Sequence, residues 1–464
     1  GVQTCALPIC SNLRCVGPTV DEKAQHYNQL EAGEPTLFEQ LLRQCWLAQQ
    51  DAMVEAPLSM PLDAFPTRVQ IEGACAKLQV NKASGIDAVS PQLLHDHGVT
   101  LAGDLTTLFL KIWTTSAEPW QWKGGLLHTI GKKKRSRRIE DMRGIALLDV
   151  MGKVSHAVMR SQMMPALHSV RAPLQLGGFA KQATTFATHY LRAFEQLASE
   201  RKLSSCVVFL DIKSAFHAMV RELVFDLTRP LPARLREVLQ LQGCDPDVVV
   251  QQVGRCQLRT HLPCGLHRLL GDAHAHTWYT LASSDEVHHA HRGSRPGSPL
   301  ADAAYNALMT AVIQDLQNVM DKHQCLQRAN VLLGIQPSIV AWVDDLALPM
   351  VFPMATDVDR VTSEVMIAVD DVCRSYGLIL NMQPKKTEAV IAYRGSHAAA
   401  QRRECFGHRQ GTISSEMKAG PLRCVPHYEH LGTMFVAEGT IAVEISHRVA
   451  KATHAHHQDR KSVV

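Results

Sequence analysis

The chain has 464 residues, 46% of them hydrophobic, which allows a large core and more than one domain or subdomain. A formal net charge of only +4 excludes attraction to polyanions through whole-chain charge, so any such attraction has to be local. No apolar run reaches about 18 residues, which excludes a membrane-spanning helix, and no signal peptide is visible. The 13 cysteines are odd in number and form no C-x-x-C pair, which argues against a complete disulfide framework and for a reducing nuclear or cytoplasmic compartment.

The strings GVQTCALPI (1–9) and DRKSVV (459–464) resemble translated sequencing adapters and are set aside, so the sequence is expected to be a piece of a longer chain. Residues 10–66 read as an N-terminal extension with a helix in LFEQLLRQCWLAQQ (37–50) and a Pro-rich exit. A helix is expected through IEGACAKLQV (71–80), then a loop punctuated by Gly85, then a helix with Ser90 as N-cap and Pro91 in its first turn. LLHTIGKKKRSRRIEDMRGIALL (126–148) reads as strand, basic loop, strand. That loop carries Lys132, Lys133, Lys134, Arg135, Arg137 and Arg138, a local potential to which a polyanion responds. MGKVSHAVMRSQMMPAL (151–167) reads as a helix.

CVVFL (206–210) is a short apolar run expected to be a buried strand with Asp211 at its exit, and SAFHAMVRELVFDL (214–227) has helical spacing. The stretch Cys256, His261, Cys264, His267, His274, His276 lacks the paired short spacings of structural zinc sites. HTWYTLAS (276–283) and EVHHAHRG (286–293) read as strands. A helix start follows at Ser298 and Pro299, with Leu300, Ala304, Ala307, Leu308, Ala311 and Val312 on one apolar face. SIVAWVDDLALPMVF (338–352) reads as strand, tight turn and returning strand, with Asp344 and Asp345 at the turn. EVMIAVDDVCRSYG (364–377) is a helix closed by Gly377, and strand-like LILN (378–381) and EAVIAY (388–393) come after it.

This interleaving predicts an α+β domain with helices packed on one face of a mainly antiparallel sheet, an arrangement able to bring Asp211 beside Asp344. Acids gathered at the rim of a buried sheet repel each other and resist burial, so a bound cation is the natural compensation. Adjacent strand residues point to opposite faces, so only one of the two hairpin acids is expected to face Asp211 directly.

Eight blocks now stand in order: NKASGID (81–87), MRGIALLDVMGKV (142–154), QLGGFAKQATTFA (175–187), FLDIKSAFHAM (209–219), RGSRPGSPLADAAYNAL (292–308), AWVDDLAL (341–348), GLILNMQPKKTEAV (377–390) and YEHLGTMF (428–435). Together they resemble the reverse transcriptase domain of non-LTR (LINE-type) retrotransposons, over about residues 81–449. The resemblance implies a right-hand polymerase with fingers (67–205), palm (206–395), and the palm end with a partial thumb (396–458). It implies an RNA-directed DNA polymerase that joins dNTPs to a DNA primer on an RNA template. Asp211, Asp344 and Asp345 are then the catalytic carboxylates, holding two Mg²⁺ ions about 3.5–4 Å apart.

By the same resemblance Arg143 contacts the incoming triphosphate, and Lys132, Lys133, Lys134 and Arg135 extend that field to the template backbone. Phe216 is the steric gate against a ribose 2′-hydroxyl, and Lys386 lies near the leaving pyrophosphate. Gly297 and Ser298 open the helix that backs the template, and Trp342 sets a large ring against the primer or the core. The chain departs from the family pattern at Gly144 (usually Pro), Pro296 (usually Gln), His217 (commonly Asp) and Trp342 (Tyr or Phe). Two rival expectations remain: an RNA-dependent RNA polymerase, which usually carries an acid where this chain has Phe216, and a catalytically inactive, nucleic-acid-binding remnant of a retroelement.

Overall fold

Ser204–Leu210 is buried at all seven positions because both of its faces are covered. It is a central strand of a six-stranded sheet. On one edge it pairs antiparallel with Asp345–Phe352, which pairs with Val340–Trp342, and on the other with Glu388–Ala392. Leu422–Val425 runs parallel to Glu388–Ala392 and antiparallel to Thr412–Ile413 at the far edge. The computed structural model describes residues 18–55, 60–132, 138–225, 230–282, 284–413, 416–437 and 442–462. The adapter-like residues 1–9 and the basic residues Lys133, Lys134, Arg135 and Arg137 lie outside them.

The fold is α+β with mixed sheets, and it corrects the expectation of helices on one face. Cys206, Val208 and Leu210 point into the main core with Leu308 and Val312 of the helix Ala301–Lys322 and Val365 and Val369 of Val358–Ser375. Val207 and Phe209 point the other way, onto Leu191 and Phe194 of Thr184–Glu200 and Leu333 of Gln324–Leu333. A continuous apolar run, rather than an alternating one, is the sequence form of a strand covered twice.

A second, five-stranded sheet runs Glu34–Thr36, Val287–Ala290, Thr277–Leu281, Gly124–Gly131, Met142–Leu148. Its hairpin 124–148 carries the basic loop, and its first strand comes from the N-terminal segment. The expected helix through 214–227 is broken into Ala215–Ala218 and Glu222–Phe225. The carbonyls of Phe216 and Met219 accept instead from the backbone N–H groups of Ser294 and Gly293, both at 2.8 Å, so they are spent on a distant loop rather than on the next helical turn. The helix expected to start at Ser298 begins at Ala301. No helix among the described residues is long and apolar enough to cross a membrane.

Candidate active site

Register brings the acids together. Leu210 is the last residue of its strand to pair with the hairpin, opposite Leu346, so Asp211 and Asp345 follow directly beyond the end of the same ladder. Asp344 occupies the two-residue turn closed by Trp342 and Asp345, after Val343 at φ 60°. A β-branched residue rarely adopts that left-handed conformation, which costs roughly 1–3 kcal/mol unless its surroundings impose it.

Those surroundings are the 174–178 segment and the helix Ala301–Lys322. The Leu176 N–H donates to the Ala341 carbonyl at 2.8 Å, and the Ala341 N–H to the Leu174 carbonyl at 3.0 Å. Gly177 permits this approach, since a Cβ there would sit 2.4 Å from the Val343 nitrogen. Beneath it, buried Gln175 donates to the Asn306 carbonyl at 2.8 Å and accepts from the Thr310 hydroxyl at 2.9 Å, while Asn306 Nδ2 donates to the Gly177 carbonyl at 3.0 Å. No motif assigns a role to Asn306 or Thr310; polar residues on an otherwise apolar helix face are the available signal.

The electrostatics are those of crowded, half-buried acids. Asp345 is pushed up to about 6, first by burial and then by Asp344 and Asp211. Asp344 is also raised, chiefly by burial; its own backbone opposes this, Asp211 adds to it, and Lys386 and Arg143 offset it. Asp211 has hydrogen-bond partners of its own. Lys386 Nζ donates to its Oδ1 at 2.9 Å and Asn381 Nδ2 to its Oδ2 at 2.8 Å. The donor atoms of the three acids do not all come within 4.8 Å of one another, a spacing met among the described residues only by Glu34, His289 and His291. The acids therefore share a rim, not one tight coordination sphere. Their oxygen-only donor set fits hard cations such as Mg²⁺, which retain several waters and take few carboxylates.

A cationic border faces the acids. Lys132 is held below the usual lysine range, first by burial and then by Lys386 and Arg143, against the opposing pull of Asp141 and Asp211. Lys132, Arg143 and Lys386 thus lie close enough to repel one another beside the carboxylates. Lys386 is further fixed by its carbonyl, which accepts from the Tyr428 hydroxyl at 2.8 Å, and the Tyr428 ring stacks on Phe209 at 4.4 Å. Phe216 is half-buried with its ring 5.1 Å from that of Tyr305. Tyr305 is fully buried, and its hydroxyl is raised by burial and then by Asp344, Cys373, Asp211 and Asp345, so the Phe216 ring abuts a residue lying in the field of the acids. Trp342 is half-buried against the core face that holds Val207 and Phe209.

The four departures have structural partners. Gly144 leaves room for Tyr27, whose ring would be 2.6 Å from an added Cβ. His217 Nδ1 pairs with Glu31 Oε1 at 2.6 Å, and its ring lies 5.6 Å from that of Tyr27. Both partners come from the helix Val20–Glu31, which none of the eight blocks includes. Pro296 presents its carbonyl to the Ala146 N–H at 2.7 Å, a contact that asks for no donor. Gly297, at φ 114°, lies against the same strand, where a Cβ would fall 2.3 Å from the Ala146 oxygen. Ser298 does not cap a helix turn alone: its hydroxyl meets His156 Nδ1 at 3.1 Å, and His156 Nε2 meets Glu118 Oε1 at 2.7 Å. This buried chain has the order of a nucleophile, base and orienter, but all three residues are buried, so it serves to anchor the loop.

The Cys256–His276 stretch is dispersed rather than gathered: His261 and Cys264 are exposed, while buried Cys256 Sγ donates to the Ala307 carbonyl at 3.4 Å and buried His274 stacks on Phe225 at 4.4 Å. The ten described cysteines are all free. Comparison with known protein families finds no matching family, and comparison with curated proteins finds no matching protein.

Proposed function

We propose that the chain is an RNA-directed DNA polymerase of the non-LTR retroelement type, with the six-stranded sheet in the palm, the hairpin strands Gly124–Gly131 and Met142–Leu148 in the fingers and the helix that starts at Ala442 in the partial thumb. The observation that carries this reading is the meeting of Asp211, Asp344 and Asp345 in one electrostatic field at the end of the Leu210–Leu346 ladder, with Lys132 acting on Asp211, Arg143 on Asp344 and Lys386 on both hairpin acids. Acids that repel, next to cations that also repel, suit a ligand carrying both divalent cations and phosphates.

In this reading Asp211, Asp344 and Asp345 would hold two Mg²⁺ ions, which would supply positive charge at the primer 3′-hydroxyl and at the leaving pyrophosphate. Arg143 and Lys132 bind the triphosphate oxygens. The primer 3′-hydroxyl gives its proton to solvent and its oxygen bonds to the α-phosphorus as the bond from that phosphorus to the bridging oxygen breaks, while Lys386 donates a proton to the leaving pyrophosphate. Phe216 excludes a ribose 2′-hydroxyl by volume. RNA template and DNA primer lie along the Gly297 loop, the basic loop and Trp342.

The test is primer extension by the purified chain on a primed RNA template with Mg²⁺, supplying either dNTPs or NTPs. Template-dependent growth with dNTPs alone is expected. Growth with NTPs alone would identify an RNA polymerase, and a gel shift of the primer–template without growth would identify an inactive binding remnant.

A further inference from the structure

The second sheet carries a cluster unconnected with the acids. Glu34 stands opposite His289 in the antiparallel pair formed by Glu34–Thr36 and Val287–Ala290, so both side chains rise from the same face. His291, two residues beyond His289, returns to that face. Its Nε2 lies 3.0 Å from Glu34 Oε1, and its ring centroid is 4.2 Å from that of His289. One ligand atom from each of the three residues falls within 4.8 Å of the others. The ring of His276 stacks on His289 at 5.7 Å, which brings a third imidazole to the rim.

We propose that Glu34, His289 and His291 form a binding site for a zinc-class divalent cation, with solvent at the fourth position. Two imidazole nitrogens and one carboxylate oxygen make a mixed donor set. Mg²⁺ disfavours such a set, whereas Zn²⁺ takes it at about 2.0–2.2 Å per bond. The 3.0 Å contact between His291 Nε2 and Glu34 Oε1 lies where a cation would bind both atoms. Glu34 is exposed and the two histidines half-buried, so the site opens to solvent on the side from which a cation enters.

Position gives the site its role. Glu34 belongs to the N-terminal segment and the histidines to the body of the second sheet, so a bound cation staples the one to the other. Three residues before Glu34 is Glu31, which pairs with His217 in the turn that carries Phe216. The staple therefore fixes the helix Val20–Glu31 against the back of that turn. None of this requires the polymerase reading.

The test uses the full chain, stripped with EDTA and titrated calorimetrically with Zn²⁺, with Mg²⁺ as control. One Zn²⁺ per chain is expected to bind at least about tenfold more weakly in each of Glu34→Gln and His291→Gln, while Mg²⁺ gives no saturable signal at this site. Glu34→Gln replaces an exposed side chain, so it tests the site even if the histidine variant misfolds. Hydrogen exchange across residues 18–36 is expected to slow on Zn²⁺ addition to the parent and not in Glu34→Gln. Zn²⁺ binding unaffected by both substitutions would assign the metal to other histidines and overturn the site. Binding without slower exchange would overturn the staple.

Discussion

Asp345→Asn is expected to lower primer extension by about 10³-fold, or ~4 kcal/mol of transition-state stabilisation, while leaving the protein as stable as the parent or more so. In the proposed polymerase the loss follows from replacing a carboxylate assigned to the metal ions by a neutral amide of the same shape. The gain follows from the site's own electrostatics. Asp345 titrates near 3.8 when unfolded and at about 6 in the fold, so between those values the folded state binds more protons. Stability contributed by this group falls as pH rises from about 4 to about 6 and stays lower above that. In EDTA the parent should therefore lose about 2 kcal/mol across this window that the variant does not lose. Thermal melts at pH 4.5 and 7.5 check the sign: a variant less stable than the parent at pH 7.5 would show that Asp345 is a structural acid.

The second large effect is on sugar choice. Phe216→Val should reduce discrimination against NTPs by roughly 10²-fold, about 3 kcal/mol, with dNTP incorporation changed far less. The backbone that carries the ring is fixed by the Ser294 N–H, which donates to the Phe216 carbonyl at 2.8 Å, and the ring packs at a tilt against that of Tyr305, 5.1 Å away. Removing part of a half-buried ring costs some packing, so the informative quantity is the ratio of kcat/KM for dNTP and NTP, which a loss of stability alone leaves unchanged. An unaltered ratio would mean that Phe216 is only core.

Much of the frame around these residues is written locally. CVVFL before Asp211, the apolar runs flanking Asp344 and Asp345, and the strands on either side of the basic loop each form from neighbours in sequence, and they form as expected. So does the helix capped by Ser90, whose hydroxyl accepts from the Gln92 N–H at 3.2 Å. What could not be read depends on partners far along the chain. The break in the 214–227 segment is made by a loop some 75 residues away, and the Glu118–His156–Ser298 chain joins three separate elements. The glycine at 144 and the histidine at 217 look like defects when compared block by block. They become intelligible only beside Tyr27 and Glu31, which lie in a segment that no block includes. Periodicity carries information over a few turns of chain and none about which distant side chain will fill a gap.

The central claim is that Asp211 and the hairpin acids serve the same pair of cations. Anomalous diffraction from crystals of the chain with primer–template, grown in Mn²⁺ as a stand-in for Mg²⁺, tests it most directly. Two peaks are expected at the sheet rim, each within about 2.0–2.6 Å of carboxylate oxygens from Asp211, Asp344 or Asp345, with Lys386 no longer on Asp211. Mn²⁺ bound elsewhere, with Asp211 still held by Lys386 and Asn381, would contradict it.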